Sequence, residues 1–344
     1  MSSSQARLEP GRLVSCFSNR RLELIVMPTE QCNFRCTYCY EDFRLGRMNS
    51  NTIESLRSLL SNRIDKLDQL YISWFGGEPL AAADIVLDLS SHAAGLAAKR
   101  PKMSYRAGIT TNGYLLNQEL LDQMAANRIL DFQITLDGPK EIHDQRRLRA
   151  DGSGSFEKIW NNLLLLKASP HPFKILIRIH FDRDTVDNLD PLIQDLNREF
   201  IVDRRFEVCF KRLLRMGGPN DDRLNAFSES EANEKKQTLT RKLHGDHVPE
   251  EEPFICYAAK PNALVIRADG TLAKCTVALN DPRNRVGVLN RDGTVTVDMS
   301  RYRPWLTGFE TLELDVLACP LQQFRKTNRT MEPFPILVGA LTSV

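Results

Sequence analysis

A chain of 344 residues, 42% of them hydrophobic, has the material for one large core and a smaller companion, which excludes a disordered or fibrous protein. Its 46 basic and 44 acidic residues leave a formal charge of +2, so charge makes neither nucleic acid nor an anionic membrane the expected partner. We find no apolar run near the ~20 residues of a membrane span and no apolar signal core at the N-terminus, so we expect a cytoplasmic protein whose eight cysteines are metal ligands rather than disulfides.

Residues 1–20 are polar and aperiodic and read as an N-terminal arm or a loose first strand. From Arg21 the chain alternates β-branched or aromatic runs with helical patterns. The strand candidates are 21–28, 70–76, 105–111, 131–137, 173–181 and 204–213, separated by amphipathic segments at 51–64, 82–99, 117–129, 155–168 and 188–200. Asn51 with Glu54 reads as a helix-start pair, and Asn117 and Ser155 as N-caps. Strands regularly separated by helices imply right-handed βαβ units and a parallel sheet. Several strands have one polar face, as where Lys174, Leu176, Arg178 and His180 oppose Ile175, Ile177, Ile179 and Phe181. A sheet covered on both faces would be apolar on both, so an α/β fold with a partial (β/α)6 barrel and a wet lumen fits best.

The barrel is expected over 21–220, ending at the breaker run Gly217-Gly218-Pro219-Asn220. A charged linker or helix follows over 221–252. Over 253–344, Asp269-Gly270 and Asp292-Gly293 stand between short alternating runs and predict hairpins, hence a small β-rich C-terminal domain.

The chemistry gathers at the strand ends. After the first strand, Cys32-Asn33-Phe34-Arg35-Cys36-Thr37-Tyr38-Cys39 packs three thiols into eight residues. Three thiolates so spaced suit a four-iron cluster with one iron left open. A zinc knuckle and three unrelated core cysteines are the alternatives, although zinc usually takes paired Cys-x-x-Cys units. Gly76-Gly77-Glu78-Pro79 closes the second strand, Thr110-Thr111-Asn112-Gly113 the third and Thr135-Leu136-Asp137-Gly138-Pro139 the fourth; singly, each also reads as a turn. His143-Asp144-Gln145-Arg146-Arg147 and Gly152-Ser153-Gly154-Ser155-Phe156 follow.

Together these motifs resemble the radical S-adenosylmethionine (SAM) enzymes, in their peptide- and protein-modifying branch. The resemblance implies a [4Fe-4S] cluster on Cys32, Cys36 and Cys39 that cleaves SAM to a 5'-deoxyadenosyl radical for hydrogen abstraction. It further implies that Tyr38, Gly76, Gly77, Glu78 and Pro79 bind SAM, the Gly-Gly-Glu-Pro motif at its amino group. Thr111, Asn112, Thr135 (where the branch has Ser) and Asp137 join them. Arg147, rather than Arg146, is placed on a carboxylate, with Arg178 and His180 also on SAM.

Cys256, Gly270-x-x-x-x-Cys275 and Cys319 resemble the auxiliary-cluster domain called SPASM, or its shortened twitch form. Without the later cysteines of the full pattern, the chain is expected to hold one auxiliary [4Fe-4S] cluster. Its fourth iron would carry no cysteine of that domain, since Cys209 points into the barrel with Glu207 and Lys211. The expected activity is modification of a residue of a ribosomally made peptide, for instance by cross-linking, with a peptide or protein substrate and an electron donor such as flavodoxin or ferredoxin. A sulfatase-maturing enzyme ranks second, because that group has the two-cluster domain, and a small-molecule enzyme third. A non-catalytic iron-sulfur carrier or regulator is the reading from another class; it has no need of a SAM pocket. The 20 residues before the first strand leave no room for a leader-binding winged domain, so a leader would need another surface or a partner.

Overall fold

The structure, a computed structural model, describes residues 10–245 and 253–326. After helix α1 (Pro10–Phe17), six parallel strands lie side by side in chain order: β1 (Arg21–Val26), β2 (Gln69–Trp74), β3 (Ser104–Thr111), β4 (Ile129–Leu136), β5 (Lys174–Phe181) and β6 (Phe206–Arg212). All fall within two residues of the expected bounds. Helices α2 (Ser50–Ile64), α3 (Ala83–Ala98), α4 (Gln118–Ala126), α5 (Lys140–Arg146), α6 (Phe156–Ala168) and α7 (Asp190–Glu199) make the crossovers.

Parallel crossovers share one hand, so a sheet whose strands follow chain order carries its helices on one face and leaves the other as a lumen. The side chains divide accordingly. In β5 Ile175, Ile177, Ile179 and Phe181 are buried, whereas Leu176, Arg178 and His180 are partly open. The expected partial barrel is present.

Several local expectations need correction. Residues 10–17 form a helix, because Leu13, Cys16 and Phe17 share a helical face that docks on Ile255, Ala259, Phe309 and Leu317. The cap of α2 is Asn49, whose side chain accepts from Thr52 N at 2.9 Å, and not Asn51. Asn117 does cap α4, at Leu120 N. Ser155 precedes α6 without capping it; Asp144 Oδ1 instead accepts from Ser155 N and Phe156 N. The run Pro79–Ala98 is apolar and long enough to cross a membrane on composition, contrary to expectation. Composition does not separate such a helix from a core helix, and here Ile85, Val86, Leu89 and Ala93 are buried against the barrel.

The charged segment holds α8 (Glu229–His244), started by a capping box between Ser228 and Glu231. It lies against α7 and β6, burying Ala232, Leu239 and Leu243. The C-terminal strands then rejoin the barrel. β7 (Ala263–Ile266) pairs parallel with the free edge of β1, Glu23 opposite Ala263, and β8 (Thr271–Ala273), β9 (Arg285–Leu289) and β10 (Val295–Val297) continue antiparallel through both expected hairpins. The described residues thus share one ten-stranded sheet. Arg267 grips Glu30 with two hydrogen bonds of 2.9 and 2.7 Å, fastening this extension to the loop that carries the first cysteines.

Candidate active site

Cys32, Cys36 and Cys39 lie in the loop after β1, at the carboxyl edge of the sheet where ligands of parallel α/β folds collect. The end of β2 packs directly on this loop. A Cβ on Gly76 would lie 2.1 Å from Thr29 O, and one on Gly77 2.5 Å from Gln31 O; Gly76 also has φ +127°. The two glycines are therefore required by the contact between chain segments themselves. Glu78 N then donates to Gln31 O at 3.0 Å.

The Glu78 side chain is fully buried. Its carboxylate accepts from Leu80 N at 2.9 Å, Thr111 Oγ1 at 2.7 Å and Asn112 N at 2.7 Å. Asn112 Nδ2 reaches back to Asn33 Oδ1 at 2.7 Å. One carboxylate so joins the ends of β2 and β3 to the cysteine loop, and burial still raises its pKa despite these bonds.

A second knot forms at the ends of β4 and β5. Tyr38 donates to Asp137 Oδ2, Arg147 Nη1 donates to Tyr38 Oη at 2.7 Å, and His180 Nδ1 stands 3.3 Å from Tyr38 Oη and 3.4 Å from Asp137 Oδ1. Burial pushes Asp137 up, but the contact with His180 and the charge of Arg147 outweigh it, holding the carboxyl below the ordinary range. Arg147 is buried, and its Nε has no partner among the described residues. A buried guanidinium with a spare donor is built to receive an anionic group, and a carboxylate suits it. Arg146 is committed to Asp182, at 3.1 and 2.7 Å, while its guanidinium lies over the Tyr38 ring, 5.6 Å from the centroid, at the border of the knot.

The structure thus gathers Tyr38, Gly76, Gly77, Glu78, Pro79, Thr111, Asn112, Asp137, Arg147 and His180 around the cysteine loop. Thr135 lies two residues before Asp137 in β4, opposite Arg178 of β5. Arg178 donates to Gln133 rather than to the knot, and its charge acts on His180 as well as on Cys209 and Lys211.

His143 and Ser155 both stand in motifs the sequence displays, but no bracing role was read from them. His143 Nδ1 accepts from Asp137 N at 3.3 Å, while its Nε2 faces Ser155 Oγ at 3.1 Å; Ser155 Oγ donates onward to Arg147 O at 2.7 Å. With Nδ1 accepting, the ring proton sits on Nε2, and the neutral ring ties Asp137 to Arg147. Burial lowers its pKa to about 3. The signal was its place at the head of the run His143-Asp144-Gln145-Arg146-Arg147.

Both sets of thiols fit iron-sulfur ligation by donor chemistry. Burial pushes Cys32, Cys36 and Cys39 up, and Glu78 and the other two thiols push Cys32 further; a cationic iron reverses that preference and favours the thiolate. The breaker run serves the same loop, with Asn220 Nδ2 on Cys39 O and Gly218 packed where a Cβ would lie 2.4 Å from Tyr40 Cα. In the C-terminal part Cys256 is raised by burial and then by the nearby Cys275 and Cys319. The buried Asn284 side chain accepts from Lys274 N and Cys275 N, both at 2.9 Å, and donates to Cys275 O and Ala278 O, fixing the turn that presents Cys275.

The sequence pattern of the radical SAM superfamily matches residues 26–196. A cysteine-type anaerobic sulfatase-maturating enzyme of Clostridium novyi is 27% identical over 200 residues, 55% of this chain and 52% of the relative. The Fe-coproporphyrin III synthase of Methanosarcina barkeri is 25% identical over 247 residues, 70% of this chain and 57% of the relative. The chain spans about half the length of these curated relatives. In fold it is similar to the crystal structure of Streptococcus suis SuiB bound to its precursor peptide SuiA, with a TM-score of 0.62 and 15% identity, covering 96% of this chain and 78% of the other. With a three-cysteine loop heading a partial barrel of this topology, residues 26–196 form a radical SAM domain.

Proposed function

We propose that this protein modifies a residue of a ribosomally made peptide, with a [4Fe-4S] cluster on Cys32, Cys36 and Cys39, SAM beside it, and one auxiliary cluster on Cys256, Cys275 and Cys319. The observation that carries the reading is the convergence on one loop of two buried knots, one around Glu78 and one around Arg147. Bound there, the cluster and SAM supply a 5'-deoxyadenosyl radical that removes a hydrogen atom from the substrate.

The chain's own residues prepare that chemistry. Arg147, charged and short of one acceptor, receives the SAM carboxylate. Asp137, kept ionised, holds Tyr38 and His180 in place, and Tyr38 in turn orients Arg147. Glu78 already has partners on both oxygens, so its first task is to hold the strand ends to the loop, and the SAM amino group adds to that set. Leucine and isoleucine layers under the sheet keep water from the helix side, while the polar lumen face over β4 to β6 is left for substrate.

A peptide substrate is supported by the similarity to sulfatase maturases and to a protein solved with its precursor peptide. A sulfatase-maturing activity is the second reading, favoured by the first of these relatives. The test is anaerobic incubation of the reconstituted protein with SAM, dithionite and a short precursor peptide encoded beside its gene. A mass change in the peptide with release of 5'-deoxyadenosine supports the first reading. Conversion of a sulfatase Cys or Ser to formylglycine, with the precursor untouched, supports the second.

A further inference from the structure

A cavity of about 260 Å³ lies between the segment after Cys39 and the segment after Cys275. Tyr40, Glu41 and Asp42 line one side, Ala278 and Asn280 the other, and Met216 closes the end of β6. Its acids are nearly all engaged. Glu30 is held by Arg267, Asp42 by Arg44 and Asn280, and Asp281 by Arg283. Glu41 is the exception: its side chain is buried, its Oε2 has no hydrogen-bond partner, and no ion pair reaches it among the described residues.

A buried, unpartnered carboxyl oxygen is costly unless a ligand completes it. A divalent cation would need several oxygen ligands, and the neighbouring carboxylates are spent on arginines. The volume is below the roughly 300–1,000 Å³ typical of sites for whole small molecules, which suits one long side chain. Apolar walls from Met216, Val277, Ala278 and Leu321 suit its methylenes, with Glu41 for the charged tip. We propose that this cavity seats a basic side chain, lysine or arginine, of the peptide being modified. The proposal rests on the peptide reading above and gives that substrate a chemical signature: a basic residue whose docking fixes the register of its neighbours.

The test is calorimetric titration of the anaerobically reconstituted protein with N-acetyl-lysine methylamide and its arginine, norleucine and glutamate counterparts. The lysine and arginine compounds are expected to bind at least about tenfold more tightly than the norleucine and glutamate ones. Glu41→Gln, compared at equal iron content, should bring the lysine compound down to the norleucine level. Equal binding of lysine and norleucine by the wild-type protein overturns the proposal without recourse to any variant. So does absence of binding by all four, or unchanged lysine binding in Glu41→Gln. The capped probes need no turnover. Glu41-dependent binding alongside an unmodified precursor would therefore count against the peptide reading alone, whereas a modified precursor indifferent to its basic residues would count against this cavity alone.

Discussion

Cys32, Cys36 and Cys39 come from one loop of eight residues, whereas Cys256, Cys275 and Cys319 come from three segments spread between residues 256 and 319. The first loop is held from outside by the ends of β2, β3 and β4 and by α5: Glu78, Asn112, Asp137 and Arg147 each reach it or its near neighbours. The second set is held from within its own region. Cys256 N donates to Leu317 O at 2.9 Å, Asn284 sets the Cys275 turn, and the buried Lys274 ties Lys260 O and Ala263 O at 2.6 and 2.7 Å. One site is local in sequence and braced by the barrel; the other exists only once the C-terminal part has folded. Damage should therefore spread differently from each.

The largest expected difference is in chemistry. Replacing Cys32, Cys36 and Cys39 by Ala should abolish SAM cleavage to 5'-deoxyadenosine, assayed anaerobically with dithionite. Replacing Cys256, Cys275 and Cys319 should leave cleavage in place while the iron content falls from about eight to about four per chain. Cleavage surviving the first triple change would remove the central assignment.

Next come the groups that brace the first loop. Arg147→Ala should weaken SAM binding roughly 10- to 100-fold with iron retained, because it removes a charge-assisted partner of the ligand. Arg146→Ala should weaken SAM binding far less, through its contact with the Tyr38 ring alone, and chiefly cost stability, since it strips Asp182 of its buried partner. Glu78→Ala is the less clean probe: it orphans Leu80 N, Thr111 Oγ1 and Asn112 N, so lower SAM affinity should arrive with a lower melting temperature. Equal affinities in the two arginine variants would erase the distinction between them, and the reverse order would exchange their roles.

The matching test in the second region is Asn284→Ala. It leaves Lys274 N, Cys275 N and two carbonyls without partners, which should cost about 2–4 kcal/mol by denaturant titration and lower the occupancy of the second cluster. SAM cleavage should persist. If cleavage falls in step with the second cluster, the two regions are not independent.

A smaller effect separates the regions by pH. His143, whose folded pKa lies near 3 against about 6.5 unfolded, is neutral and tied to Asp137 in the folded protein. A base depressed in this way contributes stability above pH 6.5 that is lost as pH falls toward 3. Stability should drop by about 1 kcal/mol between pH 7 and 5.5. His143→Gln, which removes the titrating group, should flatten that limb. An unchanged limb would mean that other groups set it.

These differences also explain which parts of the molecule were readable in advance. The six barrel strands were legible because one face meets helices and the other a lumen, so Ile175, Ile177 and Ile179 alternate with Leu176, Arg178 and His180. The cysteine loop and the three strand-end motifs around it were legible because each is contiguous. β7 was readable only as a hairpin arm: Ala263–Ile266 is buried throughout, and its partner β1 is some 240 residues earlier, so its parallel pairing to the barrel left no local mark. Helix α5, of seven residues after Gly138-Pro139, was hidden by its own turn signals. Asn284 acts on backbone groups of its own turn, which a single polar residue does not announce, and His143 stands in a motif that marks its place without revealing that it ties Asp137 to Arg147.

The smallest expected effect is the one that keeps the two regions apart. The second set offers three thiols for a four-iron cluster; of the two thiols outside both sets, Cys16 sits on α1 and packs on Ile255, Ala259 and Leu317 beside the second set, and Cys209 sits on β6. On β6, Cys209 pairs in register with Arg178, and the charges acting on it are those of Arg178, Lys211 and Lys236. The charges acting on Cys256 are instead those of Cys275, Cys319 and Lys274. Cys209 is thus a lumen residue in a basic setting. Cys209→Ser should leave iron and sulfide content, and the spin-resonance signals of both reduced clusters, as they are in the wild type. The fourth iron of the second cluster would then take water, another side chain or a substrate heteroatom, which it would acidify. Loss of iron confined to the second cluster in Cys209→Ser would instead make that thiol its fourth ligand and join the barrel lumen to the C-terminal site.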